Sequence, residues 1–185
     1  MIIAIIIIAV LALIGISMYN SLIAKKNQTD NAFSAIDVML KKRFDLLPNL
    51  VETVKQYMQY EGDLLTKIVA LRNRASTPNL SNEDKLNLDK ELSQQIGGLM
   101  VNVENYPDLK ASQNFINLQS TWTESEEQIA AARRTYNAAV TDYNNAIMMF
   151  PGSIIAGMMN YTPKTVLSIP ETERTSLNAK DLFNR

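Results

Sequence analysis

The chain has 185 residues with 46% hydrophobic and 20% charged side chains, an ordinary balance for one folded domain plus an anchor. Eighteen basic against nineteen acidic residues leave a net charge of −1, which argues against a nucleic-acid partner, since phosphate binding needs an excess of Lys and Arg. With neither cysteine nor histidine, disulfides, thiolate zinc sites, Ser-His-Asp and Cys-His nucleophiles and Glu-x-x-His di-metal centres cannot be built. Only carboxylate chemistry is left, so composition points away from catalysis and from any cofactor.

Residues 1–24 carry no charge, and Ile2 to Ile16 is an almost unbroken run of Ile, Ala, Val and Leu with a single Gly. As a helix, the seventeen residues from Ile2 to Met18 span about 26 Å, and continuation through Ala24 suffices to cross a ~30 Å hydrocarbon layer. A transmembrane anchor over 1–24 is therefore expected, with Ile2, Ile8, Leu13 and Met18 among its membrane-spanning positions. Tyr19 stands at an interfacial position and Lys25-Lys26 close the segment. The competing reading, a cleaved secretory signal, would want a basic segment ahead of the apolar run and a small-x-small site, and Gly15-Ile16-Ser17 fits that weakly. With the nearby positive charge after the helix, the expected orientation is N-terminus outside and body in the cytoplasm.

The first body helix is predicted from about Lys25 to Arg74, with an apolar stripe of Phe33, Ile36, Leu40, Phe44, Leu47, Val51, Val54, Met58, Leu65 and Ile68. Pro48 should kink it without ending it, because the stripe passes through. A second helix starts near Ser81, where Ser-Asn-Glu-Asp offers a cap and acidic first-turn residues, and runs to about Glu104 with Leu88, Leu92, Ile96, Leu99 and Val103 inward. Gly97 and Gly98 in its middle imply either a bend or another backbone packed close.

The third helix, from Phe115 to Phe150, has a 3-4 repeat through Leu118, Trp122, Ser125, Ile129, Ala132, Tyr136, Ala139, Tyr143 and Ala146, a coiled-coil spacing. Large and small residues alternate along this seam, which specifies register better than uniform leucine. Trp122, Ala132, Tyr136, Ala139 and Tyr143 are its diagnostic positions. A short fourth helix is expected over about 153–160, then an extended tail. The fold class is thus all-α: an N-terminal transmembrane helix (1–24) continuing into an elongated antiparallel bundle of about four helices (25–160), with a tail at 161–185 that should be poorly ordered alone.

The segment IDVMLKKRFDLLPNLVETVKQY (36–57) resembles the signature of the LemA family of bacterial membrane proteins. Tyr19-Asn20, the run Asn105-Tyr106-Pro107-Asp108-Leu109-Lys110-Ala111, Phe115 with Leu118-Gln119, Thr123 through Arg134 to Tyr136-Asn137, Tyr143-Asn144 and Phe150-Pro151 follow in the same order as family blocks. Two departures are mild: Phe33-Ser34 stands where a tryptophan is expected nearby, and Met39 replaces a more polar residue. The resemblance implies the same anchored helical bundle and no assigned reaction. It also implies a neighbourhood of membrane metalloproteases, which makes one a possible partner.

Two polar groupings remain. Asp37, Arg43, Asn49 and Glu52 flank Pro48 and form a candidate interaction patch, against the simpler reading of a solvated face with Asp37 paired to Lys41. Asn137 and Asn144 repeat at seven residues beside the seam and are expected to bond within the bundle. The functional expectation is a non-enzymatic scaffold that meets the lipid bilayer, forms a homo-oligomer or binds another membrane protein. The alternatives are a carboxylate-based metal-binding or hydrolytic protein using Glu52, Glu61 and Glu104, or a purely structural envelope component.

Overall fold

The computed structural model describes residues 1–58 and 61–168, and every regular element among them is helical. The helices are α1 (Ile2–Asp45), α2 (Leu47–Lys55), α3 (Gly62–Ala75), α4 (Asn82–Val103), α5 (Pro107–Lys110), α6 (Gln113–Met148) and α7 (Gly152–Met158). The described residues divide into two compact units, one within 31–132 and one of 1–30 with 133–168.

Pro48 has the effect its ring requires. It sits in the first turn of α2, where a missing N–H costs least, and α1 stops at Asp45. Leu46 keeps helical backbone angles, and its N–H bonds to Arg43 O at 3.2 Å, so the interruption is one tightened turn. The inward stripe crosses it as Ile36, Leu40, Leu47, Leu50 and Val54, all buried. Leu50, not Val51, carries the stripe there, and Val51 is only half-buried.

The expected continuous helix to Arg74 is not observed: α2 ends at Lys55 and α3 begins at Gly62. The Tyr57 N–H turns back to Val54 O at 3.0 Å, closing the end of α2 with a short-range bond. Gly62, a poor helix residue, stands at the restart. Met58 is nevertheless buried at the break, which is why periodicity alone runs through it.

α4 starts as expected: Ser81 has extended backbone and its Oγ accepts the Asp84 N–H at 3.1 Å, with Glu83 and Asp84 in the first turn. Its whole expected face, Leu88, Leu92, Ile96, Leu99 and Val103, is buried with Ile68 and Leu71 of α3 and with Leu109 and Phe115. Burying each such side chain contributes about 1.5–3 kcal/mol. At Gly97 and Gly98 a Cβ would meet open space, so of the two alternatives, a bend or a backbone packed close, the close approach is absent among the described residues.

In the other unit, the core is Leu22 of α1, Tyr143 and Ile147 of α6, and Ala156 of α7, with Ala146, Ile155 and Tyr161 against them. The seam of α6 is corrected at its end. Phe150 lies beyond the last helical residue and is exposed, while Val140 and Ile147 are buried beside Ala139 and Tyr143. Residues 161–168 form an extended segment, and the rest of the expected tail lies outside the described residues.

Candidate functional site

The first half of α1 sets the chemistry of the molecule. Residues 2 onward form the one stretch among the described residues long and apolar enough to cross a membrane, and none of its most apolar window is buried. Ile2, Ile8 and Leu13 are exposed and Met18 is half-exposed, whereas Leu22, one turn later, is buried. The same helix thus changes from uncovered to covered within a turn of its last apolar run, just ahead of Lys25 and Lys26.

Within residues 31–132 the strongest polar constellation is centred on Arg43. Its guanidinium is buried, with one terminal nitrogen 2.7 Å from Asp89 Oδ1 and the other 2.7 Å from Glu126 Oε1. The plane lies over the Trp122 ring at 4.2 Å, and Trp122 Nε1 donates to the same Glu126 oxygen at 3.2 Å. One planar cation therefore ties α1, α4 and α6 together, which a lysine cannot do with the same geometry. Asp89 is as buried as Arg43, while Glu126 is half-exposed. The cost of desolvating Arg43 and Asp89 offsets much of their mutual attraction.

The four residues grouped around Pro48 do not share one surface. Arg43 is in the interior, whereas Asn49 and Glu52 are exposed. Asp37 pairs with Lys85 of α4 at 2.8 Å rather than relying on Lys41 of its own helix. Asp37, Lys41, Asp45 and Lys85 also line a groove of about 680 Å³ beside the α3–α4 turn, with Phe44 and Leu88 at its floor. Among the described residues no three acidic side chains converge on a point that would hold a metal ion. Glu104 is paired with Lys110 at 2.6 Å, Glu61 sits at the N-terminus of α3, and Glu52 is on α2.

In the other unit, Asn137 and Asn144 of α6 bind backbone, not another helix. Asn144 Nδ2 donates to Lys164 O at 2.8 Å and its Oδ1 accepts the Lys164 N–H at 2.9 Å. Asn137 does the same to Leu167, at 2.9 and 2.7 Å. The Tyr143 hydroxyl donates to Thr162 O at 3.2 Å. The Lys164 ammonium reaches Asp30 Oδ1 at 2.6 Å and the Thr29 hydroxyl, and stands 5.6 Å over the Tyr143 ring. Lys26 stands 5.6 Å over the Tyr161 ring. The extended segment is thereby laced to α1 and α6. Burial, then the Asp30 charge, raises the Tyr136 phenol pKa; burial, then Tyr161 and Asp30, raises that of Tyr143.

Of the seam positions, Trp122 is buried and Ala132 half-buried in residues 31–132, while Ala139 and Tyr143 are buried and Tyr136 half-buried in the second unit. Asp89, Glu126, Asp30 and Lys164 are among the participants that sequence reasoning missed. Asp89 had a legible signal, since it precedes Leu92 and Ile96 by three and seven residues and so falls on the inward face.

The sequence model of the LemA family matches residues 32–180. Protein LemA of Metamycoplasma hominis is 27% identical over 165 residues, covering 89% of this chain and 75% of that protein. Magnetosome protein MamQ of Magnetospirillum gryphiswaldense is 22% identical over 163 residues, and Magnetosome protein MamQ 1 of Paramagnetospirillum magneticum is 23% identical over 163 residues. In both cases the match covers 75% of this chain and spans 60% of the longer relative.

Proposed function

This chain belongs to the LemA family, and we propose that it works as a non-enzymatic, membrane-anchored helical scaffold. It is held in a bacterial inner membrane by the first half of α1 and presents its helical surfaces to copies of itself or to another membrane protein, a membrane metalloprotease being one such partner. The observation that carries this reading is the wholly uncovered apolar run of α1, joined without a break to residues packed in a helical core. In water such a surface would be strongly unfavourable; in lipid it is solvated. Neither the family description nor the relatives' names carry a reaction, and among the described residues the polar constellations hold helices and the 161–168 segment in place. Lys25 and Lys26 after the span favour a cytoplasmic body. Confining copies to one plane and one orientation raises their effective concentration, so weak lateral contacts become cooperative.

The test is the full chain in nanodiscs at several protein-to-lipid ratios, read by mass photometry, together with crosslinking in cells. Assemblies that grow with loading, or a crosslinked membrane protein, are expected. A strictly monomeric protein with no crosslinked neighbour overturns the scaffold reading. For orientation, a single cysteine at Thr77, in the exposed α3–α4 turn, should react with an impermeant reagent only after permeabilisation.

A further inference from the structure

We propose that the α6–α7 turn is a second membrane contact, a hairpin tip that dips into the same leaflet from which α1 emerges; this rests on the reading of α1 as the anchor. The sequence carries the first half of the argument. From Tyr143 to Pro163 there is no charged residue, and the stretch is bounded by Asp142 and Lys164. Its middle, Ile147 to Ile155, is Ile-Met-Met-Phe-Pro-Gly-Ser-Ile-Ile.

The structure sorts these side chains into two sets. Ile147 and Ala156 are buried against Leu22, closing the core of this unit. Met148, Met149, Phe150, Ile154 and Met158 point away from it; Phe150 and Met158 are each 81% exposed. In α7, Ile154 and Met158 are four residues apart and share one face, opposite Ala156. The three consecutive exposed apolar residues at the end of α6 and the exposed pair on α7 give the turn an apolar patch on both of its arms.

Its position identifies the occupant. Met149, Phe150 and Gly152 lie beside Met18, Leu22 and Lys25 of α1, around a shared open cleft. A ~30 Å hydrocarbon layer takes about 20 helical residues, so a span starting at Ile2 leaves the acyl region near Leu22, where packing begins and the first lysines follow. The patch therefore stands at the depth of the headgroup–acyl boundary, where apolar faces of interfacial helices bury about 5–10 Å. Continuity with the membrane-spanning surface, together with the absence of charge across the turn, favours lipid over a protein partner. Two contacts in one leaflet would also hold the unit at a fixed tilt, which a single helix cannot do alone.

The absence of native cysteine makes the experiment clean. Full-length Phe150→Cys, Met158→Cys, Leu13→Cys and Val101→Cys variants, each carrying an environment-sensitive fluorophore, are placed in nanodiscs holding one copy or two. The lipid carries a nitroxide either near the headgroup or deep in the acyl chain. The expected result is a blue shift and loss of emission at 150 and 158 with the shallow nitroxide, loss at 13 with the deep one, and neither at 101. If 13 is quenched while 150 and 158 behave like 101, the hairpin inference fails and the anchor stands. If 13 is not quenched, the anchor reading fails and takes the inference with it. If 150 and 158 are shielded only in two-copy discs, a second copy covers the patch and the proposal is overturned.

Discussion

The Asn144 amide pairs with the backbone of Lys164 as a neighbouring strand would, donating to its carbonyl at 2.8 Å and accepting its N–H at 2.9 Å. Asn137 repeats the pairing on Leu167. The spacing follows from elementary geometry: seven helical residues rise about 10.5 Å, and three extended residues cover about 10 Å. Two amides on one helix face can therefore meet every third residue of a strand running antiparallel to that helix. An extended chain with no sheet beside it has its polar groups satisfied by side chains instead.

Replacing Asn144 with Ala removes two bonds to backbone and should cost about 1–3 kcal/mol. Asn144→Asp keeps the acceptor for the Lys164 N–H but sets an anionic oxygen against the carbonyl, and should cost at least as much. Amide hydrogen exchange checks this. The Lys164 and Leu167 amides are expected to lose protection in the variants while α4 keeps its own. Unchanged protection at both amides would show that the segment is held by Lys164 and Tyr143 alone.

Tyr136 and Tyr143 carry a pH dependence. Burial is the first cause that lifts both phenols above their ordinary value of about 10, and the Asp30 charge adds to each. The folded chain thus keeps protons that the unfolded chain has begun to lose. Their contribution to stability is fully present below pH of about 10 and is lost as pH rises through the higher folded-state pKa. Urea midpoints measured from neutral to strongly alkaline pH should fall above about 10. Tyr143→Phe should be less stable at neutral pH, having lost its bond to Thr162 O, but should fall less steeply above that point. Parallel curves for the two proteins would dissociate Tyr143 from the alkaline loss.

What the sequence could and could not reveal divides along physical lines. Signals that act within a few residues were legible: the charge-free apolar run of α1, the Ser81 cap, the inward face of α4 and the place of the interruption at Pro48, though the helix is divided there and not only kinked. The break after Lys55 was not, because Met58 keeps the apolar register and Gly62 is a lone weak signal. Arg43 was misplaced for a different reason. It falls three residues after Leu40 and four before Leu47, squarely in the inward stripe, yet a charge there is interpretable only through partners 46 and 83 residues away. The exposed face of Phe150 follows from where α6 ends, which its heptad repeat does not encode.

The Arg43 cluster makes a graded prediction. Arg43→Met leaves the buried Asp89 without its guanidinium and should cost about 3–5 kcal/mol. Arg43→Lys keeps the charge but loses the fork and the plane over Trp122, and should fall between that and the natural chain. Glu126→Gln touches a half-exposed partner and should cost about 1 kcal/mol or less. Combining Arg43→Met with Asp89→Leu should recover part of the loss, since the stranded charge is then gone. Urea unfolding of the set decides it: equal small losses in all three single variants would mean that the cluster does not hold the helices in register.

Glycines at two places should respond with opposite sign. At Gly97 and Gly98, in the middle of α4, an added Cβ meets nothing within 4 Å. Alanine there only restricts the unfolded chain and favours the helix, so each substitution should stabilise by about 0.5–1 kcal/mol. At Gly152 the same methyl would be driven into the Ala146 carbonyl oxygen in the last turns of α6. That obstacle is backbone, which cannot rotate aside as a side chain would, and moving it disturbs Ile147 in the core of the unit. Gly152→Ala should therefore destabilise by roughly 1–3 kcal/mol, the range for overpacking. Denaturant midpoints of the three variants, each in the full chain in the same detergent, give the signs directly. A stabilising Gly152→Ala would mean that the α6–α7 turn yields more readily than its packing implies, and a destabilising Gly97→Ala would mean that α4 is bent or covered where the structure leaves it open.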